Sequence, residues 1–200
     1  MFETAGTQEK LMTFEEYIDF EEKSEVKHEF DNGKLIEMSG ASLFHNRIFT
    51  SLMALLPHFL NQKKGNDFEV FGSDMKIFFP ELDKAVYPDI VIIKGEPELS
   101  DTKTHSLSNP HLVVEILSKS TEKYDRTIKF DNYRTLSSLR EYVLISQDEP
   151  LVEAFYLHDP ENDLWKITRA HGLDASILLR SIECTLALKD VYHRVKFEQA

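Results

Sequence analysis

Two unbroken apolar runs, Ile90-Val91-Ile92-Ile93 and Leu112-Val113-Val114, limit most strongly what this chain can fold into. Side chains on a strand alternate between its two faces, so a run without a polar member belongs to a strand covered on both sides. Such strands sit at the centre of a sheet with helices packed around it, which predicts an α/β architecture with mixed strand directions. The chain has 200 residues, 42% of them hydrophobic and 29% charged, enough to bury a sizeable core. Length and composition together point to one globular domain over residues 1–200.

The remaining elements read outward from those runs. Phe14, Tyr17 and Ile18 repeat at helical spacing behind a Thr13 cap, and that helix fades near Ser24. Val26–Phe30 and Lys34–Met38 flank Asp31-Asn32-Gly33, a hairpin turn. Apolar positions 48, 49, 52, 55, 56, 59 and 60 mark an amphipathic helix over Leu43–Asn61, with Pro57 expected to kink or break it before Lys63-Lys64-Gly65-Asn66. Strands are expected at Phe68–Phe71, Asp74–Phe79, Tyr87–Ile93 and His111–Leu117, with a long loop over Lys94–Pro110. A helix over Thr121–Leu136 precedes strands at Tyr142–Ile145, Leu151–Leu157 and Leu164–Thr168, and a short helix over Leu186–His193 closes the chain.

Several functional classes are excluded. The seven glycines form no Gly-x-Gly pair, which removes dinucleotide fingerprints and phosphate loops. The eight histidines show no His-x-His or His-Glu-x-x-His spacing, and no serine sits in a Gly-x-Ser-x-Gly elbow. The lone Cys184 reads as a small core residue, so any metal would rest on oxygen ligands. No apolar run approaches membrane-spanning length, and Met1-Phe2-Glu3-Thr4 does not open a signal peptide, so a cytoplasmic location is expected. Lys and Arg number 23 against 35 Asp and Glu, a formal charge of −12. That balance opposes broad attraction to nucleic acid, and an enzyme acting on it would need a local exception.

Asp89 opens one buried run and Glu115 ends the other. Either could be a strand-terminal acid turned to solvent. On neighbouring strands they would instead converge as oxygen donors of the kind Mg²⁺ takes, with waters completing its octahedron. On the following helix Lys123, Arg126, Thr127, Asp131 and Arg134 share one side, with Tyr124, Ile128 and Leu136 broadly opposite and Phe130 off the pattern. Asp125, Lys129 and Asn132 fall within the apolar side. Lys129 is therefore predicted to face the sheet, where it needs an acidic partner, the alternative being a solvated lysine that snorkels past its neighbours. His45 reads as a capping or surface histidine, and Ser118, Ser120 and Thr121 as helix caps.

These residues form a recognisable set. Pro88-Asp89, then Leu112 through Ser118, then Tyr124-Asp125-Arg126 with Lys129 and Tyr133, then Glu141-Tyr142, resemble the Uma-type endonuclease family of the PD-(D/E)XK restriction-endonuclease-like superfamily. Thr13 through Tyr17, Glu29 through Gly33 and Ser42 through Arg47 extend the resemblance over almost the whole chain. It implies a restriction-endonuclease-like core: a mixed central β-sheet flanked by helices. It also implies a site in which Asp89 and Glu115 hold Mg²⁺ (or Mn²⁺) and a lysine stabilises the attacking hydroxide or the transition state. The superfamily places that lysine two residues after the second acid, where this chain has Leu117. Lys129 on the next helix is the expected replacement and Lys119 the competitor. Glu29 is an accessory acid by the same resemblance, or a structural one. DNA is the implied substrate and a homodimer the implied assembly, with Lys123, Arg126, Arg134 and Arg140 as candidate phosphate contacts. The alternative is a catalytically silent nuclease fold serving assembly or regulation.

Overall fold

The structure, a computed structural model, describes residues 11–100 and 106–197. The N-terminal tetrapeptide and the middle of the expected 94–110 loop lie outside the described residues. A six-stranded sheet carries the fold. Its strands are β3 (Phe68–Phe71), β6 (Ile90–Lys94), β7 (Pro110–Leu117), β8 (Glu141–Ser146), β9 (Leu151–Asp159) and β10 (Leu164–His171), ordered β10-β9-β8-β7-β6-β3. β7 and β8 are parallel and every other neighbouring pair is antiparallel, so the sheet is mixed. A parallel pair needs a crossover, and a helical segment over 122–134 supplies it.

The two apolar runs occupy β6 and β7 near the centre of this sheet. On one face Ile90, Ile92, Leu112 and Val114 pack against Ile48, Leu52, Leu56 and Leu60 of α2 (Leu43–Asn61). On the other, Val91, Ile93, Val113 and Leu117 pack with Tyr133, Tyr142 and Leu144. Ser42 caps α2, its Oγ accepting the His45 N–H at 3.0 Å. The helix runs through Pro57 without a break. The lost backbone hydrogen bond is outweighed by the four-residue stripe of fully buried side chains on either side of the proline.

Beside the expected central mixed sheet, the described residues form two smaller sheets. A four-stranded sheet, ordered β2-β1-β5-β4, joins β1 (His28–Asp31), β2 (Lys34–Glu37), β4 (Ile77–Phe79) and β5 (Lys84–Val86), with α1 (Phe14–Glu21) packed on it. The strand expected over Asp74–Phe79 thus shrinks to β4 and leaves the main sheet. β5 escapes sequence reading because three residues cannot display alternation. In the β1–β2 turn Asn32 and Gly33 take φ of 48° and 84°, as a tight hairpin requires. A Cβ on Gly33 would also lie 2.6 Å from that of Leu11, so glycine is needed there twice over. A third unit, the hairpin β11 (Ser176–Leu179) and β12 (Cys184–Ala187), takes residues expected to be irregular or helical, and the final helix, α5, is confined to Leu188–Val191. Cys184 is buried in the core, as expected.

The crossover is not a uniform α-helix. α3 (Glu122–Tyr124) and α4 (Phe130–Arg134) are joined by a π-turn over Asp125–Lys129. The extra residue taken up by i→i+5 bonding holds Asp125, Lys129 and Tyr133 in one buried line facing the sheet. Ile128, expected on the apolar side, is 54% exposed instead. Among the described residues no helix is long and apolar enough to cross a membrane.

Candidate active site

The sheet register brings the two acids together. In the β6–β7 ladder Ile90 pairs with Val114, Val91 with Val113 and Ile92 with Leu112. Continued by one residue, Asp89 falls opposite Glu115, and directly opposed side chains of an antiparallel pair share a face. That face is the one Val91 and Val113 turn toward Tyr133. The ladder ends there because Pro88 has no N–H to donate. The Ile116 N–H donates instead to Asp89 Oδ2 at 2.7 Å, which holds the carboxylate at the sheet edge. Both acids line one cleft of about 690 Å³.

The helical crossover contributes the cation. Lys129, only 6% exposed, places Nζ 2.9 Å from Glu115 Oε1, 3.6 Å from Glu29 Oε1 and 3.8 Å from Asp125 Oδ1. The Tyr133 hydroxyl donates to the same Glu115 Oε1 at 3.1 Å. Of the two positions open to Lys129, the sheet-facing one is therefore occupied, with three carboxylates as partners. Lys119 lies exposed between β7 and the crossover. Glu29 reaches the cleft from β1 of the smaller sheet, so the four residues singled out from the sequence, Asp89, Glu115, Lys129 and Glu29, meet from four elements or their ends.

Three acids, Glu29, Glu115 and Asp125, thus surround one buried ammonium, and Asp89 lines the same cleft. Burial pushes the Glu115 carboxyl well above the ordinary range; Lys129 opposes that shift, and Asp125 and Asp89 add to it. Asp125 is raised by burial too, again against the pull of Lys129. Burial alone would strip the Lys129 proton, but Glu115, Glu29 and Asp125 outweigh it and hold the proton on.

A pH dependence follows from Glu115. With its folded pKa above its unfolded value, the folded chain binds more protons between the two, so its contribution is full at low pH and is lost as pH rises from about 4.5 through the folded pKa. In chelator, urea unfolding is expected to show stability falling over this interval by up to about 1.4 kcal/mol per pH unit for this one proton, with a shallower fall in Glu115→Gln. Parallel profiles for the two proteins would remove Glu115 from this role.

The donor set suits a hard divalent cation. Glu115 meets Lys129 and Tyr133 through Oε1, and Oε2 takes part in neither contact. Oxygen-only donors with excess negative charge are what Mg²⁺ or Mn²⁺ accepts, usually on one or two carboxylates with water in the other positions. Among the described residues no group of three or more His, Cys, Asp and Glu side chains has metal-holding geometry.

The structure also corrects the reading of the helix's basic side. Arg126 is bound by Glu122 and Glu153, Arg134 by Asp131 and Asp163, and Arg140 by the carbonyls of Ser137 and Leu139. Of these, Glu153 lies on β9 and Asp163 just before β10, so the arginines turn away from the cleft, whose lining cations are Lys27 and Lys129. His45 is not the cap of α2, a role Ser42 takes, but a cleft residue. Its Nε2 lies 3.0 Å from Asp89 Oδ1, while its buried Nδ1 has no partner. A carboxylate oxygen can only accept, so Nε2–H is the donor of this contact. Asp125 and Tyr133 were not among the site residues anticipated. The signal was present, since each stands four residues from Lys129.

A model of the Uma2 family, described as "Putative restriction endonuclease", matches residues 14–189. The chain belongs to the Uma2 family. Its relatives include two uncharacterized proteins of Synechocystis sp., sll1609 and slr1290. The first is 36% identical over 168 residues, 84% of this chain and 92% of that protein; the second is 32% identical over 183 residues, 92% of each. The Uma2 fold seen here is similar to the crystal structure of a putative nuclease belonging to DUF820 from Anabaena variabilis, with a TM-score of 0.68 and 18% identity over 90% of this chain and 97% of that one. The mixed α/β core expected from the resemblance is thus found.

Proposed function

We propose that this Uma2 protein is a Mg²⁺-dependent nuclease that hydrolyses DNA phosphodiester bonds at the Asp89–Glu115 cleft. The observation that carries the reading is the meeting of both acids at one sheet end with Lys129 held 2.9 Å from Glu115. Asp89 and Glu115 would hold the metal. When bound, a divalent cation polarises a phosphoryl oxygen and lowers the pKa of water. Lys129, kept protonated by its acidic neighbours, offsets the charge that builds up on the reacting phosphate. Glu29 fixes the ammonium from the smaller sheet, and Ile116 N–H with His45 orients Asp89. Cleavage of both strands calls for two such sites, so a homodimer belongs to the same reading.

One observation favours the alternative, a catalytically silent module in assembly or regulation. The cleft's charges already pair with one another, and the crossover arginines are committed elsewhere. A plasmid-nicking assay separates the two. A nuclease cuts with Mg²⁺ or Mn²⁺ and stops in chelator; a silent module leaves the plasmid intact at every metal concentration.

A further inference from the structure

An acidic chain that handles nucleic acid needs a local concentration of positive charge, and the crossover helix does not provide it. The far end of α2 does. A cavity of about 290 Å³ is lined by Lys63, Lys64, Lys94 and Arg180, four cations against the two anions Asp67 and Glu183. The pocket is built rather than accidental. Buried Glu141 accepts the Arg180 N–H at 3.0 Å and the Ser181 N–H and hydroxyl at 2.9 Å each, which fixes the turn that carries Arg180. Lys63 Nζ donates to Ile182 O at 2.6 Å and pairs with Glu183, tying the end of α2 to that turn. The Gly95 N–H donates to Asp67 O at 2.7 Å, joining the loop after Lys94 to the loop before β3. Lys64, Lys94 and Arg180 remain without ion pairs among the described residues, although Lys94 lies over the Phe68 ring.

We propose that this pocket binds phosphate groups. Three free cations converging on one concavity match a multiply charged anion better than a single carboxylate, and surrounding acidity would repel any anion not held this way. Two sources present that chemistry: the backbone of a nucleic-acid strand and a free nucleotide. The first rests on the nuclease reading; phosphate binding itself does not. His45 and Lys63 stand at opposite ends of α2, roughly 27 Å apart at 1.5 Å per residue, within one turn of duplex DNA at about 34 Å. A duplex engaged at the cleft could therefore also be gripped here.

The test compares the wild-type chain with K64Q/K94Q/R180Q, three exposed positions whose loss leaves the core untouched. Fluorescence anisotropy with a 20-base-pair duplex in Ca²⁺ and thermal shift with ATP are the two arms. For a nucleic-acid strand, the variant is expected to bind DNA at least tenfold more weakly, with the slope of log affinity on log salt reduced by roughly 2–3. For a free nucleotide, the variant loses the ATP-induced shift while its DNA binding is unchanged. Identical behaviour of both proteins toward both probes overturns the proposal. The Mg²⁺-induced thermal shift, which the nuclease reading assigns to the cleft, should be the same in both, so failure here is distinct from failure of the nuclease reading.

Discussion

Lys129→Met is expected to abolish DNA cleavage, by at least about 10²–10³-fold, while Mg²⁺ still stabilises the variant. Methionine keeps most of the stem that fills the space between the crossover and the sheet, so no large cavity forms. What disappears is the ammonium that meets Glu115, Glu29 and Asp125. Without metal, leaving buried acids unpaired should cost about 3–5 kcal/mol or force them to take up protons. A divalent cation can compensate part of that loss, so the metal-induced rise in melting temperature should be at least as large as in wild type. Lys119→Met, altering an exposed residue, should change neither quantity. Full cleavage by Lys129→Met together with loss in Lys119→Met would reassign the lysine.

Asp89→Asn should remove the metal response itself. Asparagine can still accept the Ile116 N–H through its amide oxygen, so the end of β6 stays anchored. The charge is gone, and the remaining amide nitrogen would confront the His45 donor. At metal concentrations about 100-fold above Kd, an ion bound only by the folded wild type contributes about 2.7 kcal/mol. For a chain of this size that corresponds to a rise of about 5–10 °C in melting temperature. The rise is expected to vanish in Asp89→Asn, and cleavage with it. Equal shifts in both proteins would mean that the ion binds the acidic surface at large.

The central sheet was legible because its middle strands, β6, β7 and β8, are apolar and buried on both faces, which leaves few alternatives. The pairing of Asp89 with Glu115 was legible for a related reason: each acid interrupts such a run where pairing ends. The smaller sheet was not, since β4 and β5 have three residues apiece and the pairing that joins them to β1 is distant in sequence. The helical wheel placed Lys129 on the sheet-facing side but misplaced Ile128, because a uniform 100° step takes no account of a π-turn. The arginines misled for another reason. Shared sidedness on a helix says nothing of what the neighbouring strands offer, and here Glu153 and Asp163 claim them. His45 depends on the long-range meeting of the start of α2 with the end of the β6–β7 ladder, which local spacing cannot reveal.

Anomalous diffraction from crystals soaked in Mn²⁺ tests the central claim most directly. The account requires one ordered ion in the cleft, contacted by oxygens of Asp89 and Glu115 with water in its other positions, and no such ion in Asp89→Asn crystals. Anomalous density confined to other acidic surfaces, or a cleft ion that persists in Asp89→Asn, would contradict it.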